Sequence, residues 1–389
     1  MFTIQTLNKI SQTGLASLDQ ALYTVADAPE NPDGILVRSA SMHETALGSN
    51  LLAIARAGAG TNNIPIDKCS ESGVVVFNTP GANANAVKEM VVAGLLLSSR
   101  KIPDALAWVR TLKGKGDEIG KLVEKGKGQF VGPEISGKRL GVIGLGAIGV
   151  MVANTALSLG MEVCGYDPYL SVRAAWGLSS AVKYAPTLKE IFETCDYITL
   201  HVPLTPETRG VINAEALATA KDGVRVLNFA RGELVVDADI LAALESGKAA
   251  AYATDFPSDT LIGAPGVIAV PHLGASTPES EENCARMAVS QLADYLENGN
   301  IRNSVNLPDA ELAQTGDAKV CVIHKNVVAV VSSISTTLSS FNINIESMLN
   351  KSKKDYAYTV CDVTGDVTPE VVAKLTAARD VIRVRVIRG

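Results

Sequence analysis

Three polar side chains follow apolar, strand-like runs in the second half of the chain: Arg231 after residues 224–230, Asp259 after 249–256 and His272 after 266–271. Their types suit removal of a hydride from a secondary alcohol. An imidazole, with an unperturbed pKa of about 6.5, is poised to take the hydroxyl proton. A carboxylate beside it would fix its tautomer and stabilise the imidazolium that forms. A guanidinium offers a planar fork that grips a substrate carboxylate and holds an α-oxygen in place. Together the three describe chemistry on a 2-hydroxy acid. Each alone could be an ordinary loop residue. A common role requires a sheet whose strands all end at one nucleotide-binding edge.

The sequence supplies such a sheet. Arg139-Leu-Gly-Val-Ile-Gly-Leu-Gly-Ala-Ile-Gly149 carries a buried-strand pattern into Gly144, Gly146 and Gly149, and residues 147–159 then place apolar side chains at helical spacing. Gly144 would make the tight turn, Gly146 would let a pyrophosphate approach the backbone, and Gly149 would let the helix pack close on the strand. The helix N-terminus adds free N–H groups and a partial positive charge for phosphates. The next strand-like run, 161–167, ends on Asp167, placed for the hydroxyls of an adenosine ribose. Its charge would repel a 2′-phosphate, which points to NAD rather than NADP. Runs at 138–144, 161–167, 196–202, 224–230, 249–256 and 266–271 alternate with helical patterns. They predict a doubly wound parallel Rossmann sheet of order 3-2-1-4-5-6.

Short apolar runs at 2–7, 21–26, 34–37, 51–55 and 74–77 predict a smaller α/β unit over residues 1–92. Arg38-Ser39 follows one of its strands, and Arg56-Ala-Gly58-Ala59-Gly60 another. These are either anion-binding strand ends with open backbone N–H groups, or only turns. Residues 87–112 read as one long helix. The Lys/Gly-rich stretch 113–128 reads as a solvated, mobile connection, or as the source of a lysine that reaches an anionic substrate in a neighbouring subunit. A long helix over 277–297, opened by Ser276-Thr-Pro-Glu, leads back to the first unit. Residues 1–92 and 275–306 would then form one discontinuous domain around a nucleotide domain at 93–274. After a polar break at 307–317, residues 318–389 are ordered βαββαβ, a ferredoxin-like sandwich.

Composition narrows the function classes. With 389 residues, 20% charged, 47% hydrophobic and a net charge of −6, the chain reads as two or three ordinary globular domains. The charge argues against nonspecific nucleic-acid binding and against an anionic membrane surface. No run approaches a membrane span and the first residues lack a leader pattern, so a cytoplasmic location is expected. The six cysteines are scattered with no Cys-x-x-Cys pair, which predicts reduced thiols and no metal site.

The motifs Gly144-Leu-Gly-Ala-Ile-Gly149, His201-Val-Pro-Leu-Thr-Pro-Glu-Thr-Arg-Gly210, Asn228-Phe-Ala-Arg-Gly232 and Pro271-His-Leu-Gly-Ala-Ser276 resemble those of the D-isomer-specific 2-hydroxyacid dehydrogenases. The resemblance runs nearly end to end. It implies a Rossmann domain inserted in a flavodoxin-like substrate domain, and NAD held by Gly144, Gly146, Ala147, Ile148, Gly149, Asp167, His201, Pro203, Thr208, Ala230 and Asp255. It puts the catalytic arginine on Arg231 and the general base on His272. The family's acid is usually a glutamate in Asp-Val-Phe-x-x-Glu, whereas Asp255-Phe-Pro-Ser-Asp259 is one residue shorter and ends in a shorter acid. The substrate would be met by Arg38, Ser39, Gly58, Ala59, Gly60 and Asn83. The C-terminal unit resembles an ACT domain, which implies oxidation of D-3-phosphoglycerate to 3-phosphohydroxypyruvate in serine synthesis, and a homodimer or homotetramer. His324, Asn326 and Asn344 match serine-binding positions of feedback-inhibited relatives. Asn326-Val-Val-Ala-Val330 departs from the usual Asn-Arg-Pro-Gly-Val, so L-serine as an effector and a unit used only for assembly both stay open. Readings left standing are a hydroxypyruvate or glyoxylate dehydrogenase and an NAD(H)-sensing corepressor-like protein.

Overall fold

Strands of four to six residues rich in Ile, Val and Ala bury both faces, as a parallel sheet covered on two sides requires. In the computed structural model, which describes residues 1–388, the chain divides into two units, Met1–Asn83 with Pro278–Gly389, and Ala84–Thr277. The first unit holds β1 (Phe2–Leu7), β2 (Tyr23–Ala26), β3 (Gly34–Val37), β4 (Ala53–Arg56) and β5 (Val75–Phe77) in the parallel order β2-β1-β3-β4-β5. That is the flavodoxin order. The Pro278–Asn298 helix covers this sheet with Cys284, Ala285, Ala288, Leu292 and Tyr295.

The same unit contains a second sheet, built from β13 (Ala318–Lys325), β14 (Asn344–Lys353), β15 (Tyr356–Thr364) and β16 (Val381–Arg388). Its antiparallel order β14-β15-β13-β16, with one helix after β13 and one after β15, is the ferredoxin-like arrangement. Cys321, Ile323, Tyr358 and Val360 of this sheet share one buried cluster with Leu292, Tyr295 and Leu296 of the Pro278–Asn298 helix. The last carbonyls of that helix lack intrahelical donors, and the sheet supplies them. Arg385 donates to the carbonyls of Tyr295 at 3.2 Å and Leu296 at 2.9 Å, Lys319 to Asn298 at 2.9 Å, and the Tyr358 hydroxyl to Gly299 at 2.7 Å. Two of these donors are cations at the negative end of the helix dipole.

The second unit is a parallel sheet of seven strands: β6 (Arg139–Ile143), β7 (Glu162–Tyr166), β8 (Lys183–Tyr184), β9 (Tyr197–Leu200), β10 (Val224–Asn228), β11 (Ala249–Thr254) and β12 (Val267–Ala269). The order is β12-β11-β10-β9-β6-β7-β8, or 3-2-1-4-5-6-7 counted from β6. The expected six-strand order put 196–202 at the edge beside 161–167; instead β9 pairs with β6, and the additional strand β8 holds the edge beside β7. Both residues of β8 are exposed, so this strand has no apolar pattern to read.

Two further expectations are corrected here. The helix expected over 87–112 is two helices, Ala84–Arg100 and Ile102–Arg110, broken at Lys101, which has φ 47°. Pro103 fits the first turn of the second helix but has no N–H to continue the first one, so the chain breaks just before it. The stretch 113–128, expected to be a mobile connection, folds into a 3-10 turn at Gly116–Glu118, a helix at Ile119–Gly126 and a second 3-10 turn at Lys127–Phe130. A small apolar nucleus organises it: the rings of Trp108 and Phe130 lie 5.3 Å apart. Among the described residues no helix is long and apolar enough to cross a membrane.

Candidate active site

β6 ends in a turn that only glycine can make. Gly144 has φ 92°, and a Cβ there would lie 2.6 Å from the carbonyl oxygen of His201, so the end of β9 closes directly over the turn. A Cβ on Gly149 would strike the Gly144 carbonyl, so the Ala147–Ser158 helix can start this close to the strand only without one. At Gly146 the opposite holds: a Cβ would meet no atom within 4 Å. Gly146 caps this helix with no side-chain acceptor, so its first N–H groups face open space. An uncapped N-terminus behind a bare glycine fits a pyrophosphate. Asp167, after β7, sits at the rim of the turn, where its carboxylate accepts from the amides of Leu145 and Tyr169, both at 2.8 Å.

The loop after β9 is tied by Thr208, whose hydroxyl donates to the Pro203 carbonyl at 2.6 Å and accepts from the Thr205 amide at 2.8 Å. His201 hydrogen-bonds Thr199 through Nε2 at 3.0 Å, and its Nδ1 is buried without a partner. Enclosure in protein keeps this imidazole neutral, with its pKa pushed down to about 3.

The ends of β10, β11 and β12 carry the groups suited to the chemistry. Asn228, fully buried at the end of β10, shapes the next turn: its Nδ2 donates to the Arg231 carbonyl at 2.9 Å and its Oδ1 accepts from the Ala230 amide at 3.2 Å. Arg231 is exposed, with Nη1 donating to the Ala230 carbonyl at 2.6 Å. Asp255, after β11, is 1% exposed. Its carbonyl accepts from the His272 amide at 3.0 Å, and its Oδ2 from the Gly274 amide at 3.0 Å. Its Oδ1 is buried with no partner. Burial raises the pKa of this carboxyl, while the Gly274 amide and the charges of His272 and Arg231 pull it back. His272 itself has φ 32°, unusual for a residue with a side chain, and its ring packs 4.9 Å from that of Phe256.

Asp259 lies on the loop that follows β11. It is exposed, and no ion pair joins it to His272 among the described residues. The loop that carries it is pinned elsewhere, since Ser258 donates to Asp237 at 2.6 Å. Asn228 was not among the expected site residues. The only signal for it in the sequence is an amide at a strand end, three residues before the arginine.

In the first unit, Arg38 follows β3 and Arg56 ends β4, the two strands being neighbours. Arg38 pairs with Glu281 at 2.7 Å. Arg56 donates to Asn63 at 3.1 Å and lies over Gly58, where a Cβ would strike its guanidinium. The amides of Ser39 and Ala40 are held by Asn8 Oδ1, at 3.1 and 2.6 Å. Ala59 accepts from Asn78 at 2.6 Å, Gly60 is half-buried, and Asn83 Oδ1 is buried without a partner. Asn8, Asn63 and Glu281 are further site residues that the sequence reading did not single out.

Each of the three C-terminal positions hydrogen-bonds a partner of its own. His324 is buried, with Nδ1 at 2.7 Å from the Lys325 carbonyl and Nε2 at 2.8 Å from Thr359 Oγ1. Asn326 donates to the Lys354 carbonyl at 3.0 Å and Asn344 to Glu346 at 2.8 Å. Ala329 adopts φ 71°, a left-handed conformation unusual for a residue with a side chain.

Residues 92–274 match the family described as D-isomer specific 2-hydroxyacid dehydrogenase, NAD binding domain. The chain is 35% identical over 326 residues to D-3-phosphoglycerate dehydrogenase of Bacillus subtilis, which covers 79% of this chain and 59% of the relative. To the Homo sapiens protein of the same name it is 36% identical over 285 residues, 70% of this chain and 50% of the relative. The chain thus spans between half and three-fifths of the length of these two relatives. A solved structure of NAD+-bound 3-phosphoglycerate dehydrogenase from Entamoeba histolytica superposes with a TM-score of 0.62 at 27% identity, covering 78% of this chain and 98% of that one.

Proposed function

We propose that the chain is a D-isomer-specific 2-hydroxyacid dehydrogenase, the family whose NAD-binding domain residues 92–274 match, and that it oxidises D-3-phosphoglycerate to 3-phosphohydroxypyruvate with NAD. The observation that carries the reading is the placement of Arg231, Asp255 and His272 at the ends of neighbouring strands of the sheet that also bears the glycine turn.

NAD, when bound, supplies the acceptor for the hydride that leaves the α-carbon. The N–H groups of Ala147 and Ile148 and the space before Gly146 would hold its pyrophosphate, Asp167 its ribose hydroxyls, and the partnerless Oδ1 of Asp255 the carboxamide. His201, Pro203, Thr208 and Ala230 line the rest of that path. Arg231 grips the substrate carboxylate and keeps the α-oxygen in place. His272 takes the hydroxyl proton as the carbonyl forms, and returns it in the reverse direction. An acid must stabilise the resulting imidazolium. Asp255, which already holds the loop of His272, is the acid placed for this, and Asp259, the family's counterpart, is the alternative that the variants below test. Arg38 and Ser39, together with Gly58, Ala59, Gly60 and Asn83, receive the phosphate and carboxylate of the substrate. Arg38 favours a phosphorylated substrate over glyoxylate or hydroxypyruvate.

The protein would act in the cytoplasm as a homodimer or homotetramer. L-serine at His324, Asn326 and Asn344 remains an effector to test, although the His324 ring nitrogens are already engaged by the chain itself. The direct test is reduction of NAD and of NADP with D- and L-3-phosphoglycerate. The reading expects turnover with NAD and the D-isomer alone. Equal use of both isomers would overturn it.

A further inference from the structure

Arg38 is the cation best placed to receive an anionic substrate tail in the first unit, yet it is already paired. Its Nη1 lies 2.7 Å from Oε1 of Glu281, and the two side chains are 37% and 45% exposed. Glu281 stands in the first turn of the Pro278–Asn298 helix, where the positive end of the helix dipole favours a carboxylate. The pair is therefore solvent-accessible and can be opened by an incoming anion. Exposed pairs of this kind are individually weak. The neighbouring arginine is not available as a substitute, because Arg56 is turned onto Asn63 at 3.1 Å.

We propose that Glu281 is a specificity-determining residue, a built-in counter-ion that any anionic tail must displace from Arg38. This rests on the reading of Arg38 as a substrate-binding residue. The exchange sorts tails by charge. A phosphate brings nearly two charges and three acceptor oxygens to the guanidinium, and outcompetes one carboxylate. A single carboxylate only replaces like with like and gains little. A neutral hydroxymethyl tail cannot displace Glu281 and leaves the pair intact. Glu281 thus raises the KM of every anionic substrate by the cost of opening the pair, and leaves neutral ones unpenalised.

The test is Glu281→Gln, with Arg38→Ala as reference, assayed with NADH and 3-phosphohydroxypyruvate, 2-oxoglutarate or hydroxypyruvate. The variant is expected to lower KM for 3-phosphohydroxypyruvate by roughly 2–5-fold, the range of an exposed ion pair. It should lower KM for 2-oxoglutarate by a similar factor, and leave hydroxypyruvate unchanged. Unchanged KM for both anionic substrates, or a rise for all three, would overturn the proposal, the second result making Glu281 a group that orients Arg38. A binding readout separates this from the reading beneath it: inorganic phosphate, titrated calorimetrically, should bind Glu281→Gln more tightly than the parent and Arg38→Ala more weakly. If the parent fails to turn over 3-phosphohydroxypyruvate while this order of phosphate affinities holds, the substrate assignment falls and the counter-ion stands. Equal phosphate affinity in parent and Glu281→Gln would overturn the counter-ion.

Discussion

The amide of His272 donates to the carbonyl of Asp255 across 3.0 Å, and the carboxylate of the same aspartate takes the amide of Gly274 at 3.0 Å. One buried acid therefore holds both sides of the histidine's loop, and its charge acts on His272 and Arg231. Asp255→Asn keeps an acceptor for Gly274 but removes that charge. It should lower kcat by at least about 100-fold, the scale of a lost acid–base partner. Asp259→Asn should cost less than about 10-fold in the same steady-state assay. The reverse order of effects would return the role to Asp259.

Gly146 and Gly149 separate binding from folding. A Cβ at Gly146 meets nothing in the protein, whereas one at Gly149 strikes the Gly144 carbonyl. Gly146→Ala should unfold at the parent's midpoint and bind NAD more than about 10-fold less tightly, because the methyl fills the approach of the pyrophosphate. Gly149→Ala should lower the midpoint as well. Thermal unfolding with and without NAD checks both variants.

Much of this was legible in the sequence because it is local. The glycine spacing, the strand before it and Asp167 after the next strand all lie within residues 139–167, and the structure keeps them in one turn. The Arg38–Glu281 pair was not legible, since the partners lie far apart in the chain and neither has a distinctive neighbour. The tie between Asp255 and His272 runs through a backbone carbonyl, which no residue type reports. The short strand β8 has no buried residue. The Lys/Gly-rich stretch folds with Trp108 and Phe130 meeting across it, and both rings lie outside 113–128, where composition alone would not find them.

The contact between the Pro278–Asn298 helix and the C-terminal sheet makes a stability prediction. Arg385 caps two carbonyls at the helix end and lies 4.7 Å from the centre of the Tyr295 ring. Arg385→Ala leaves both carbonyls without that donor and should cost about 2–3 kcal/mol of unfolding free energy. Arg385→Lys should recover part of the loss. Urea unfolding of the three proteins gives the order. A variant as stable as the parent would show that water caps the helix equally well.

His201 predicts an acid limb in stability. Its folded pKa is depressed to about 3 while the unfolded value is about 6.5, so below that value only the unfolded state takes up the proton. The folded state should lose up to about 2 kcal/mol between pH 7 and pH 5 through this group alone. Stability is full above the unfolded pKa and falls as pH is lowered toward 3. His201→Asn should flatten the slope over this window, read as the difference in urea midpoints at the two pH values. An unchanged slope would mean that the ring protonates in the folded protein.

The central claim is hydride transfer on a phosphorylated 2-hydroxy acid, and kcat/KM for NADH oxidation with 3-phosphohydroxypyruvate against hydroxypyruvate tests it most directly. Lost charge-assisted hydrogen bonds to a phosphate are worth about 3 kcal/mol or more, so a preference of at least about 100-fold for the phosphorylated substrate is predicted. Comparable values for the two would contradict the claim and leave a dehydrogenase of unphosphorylated 2-keto acids.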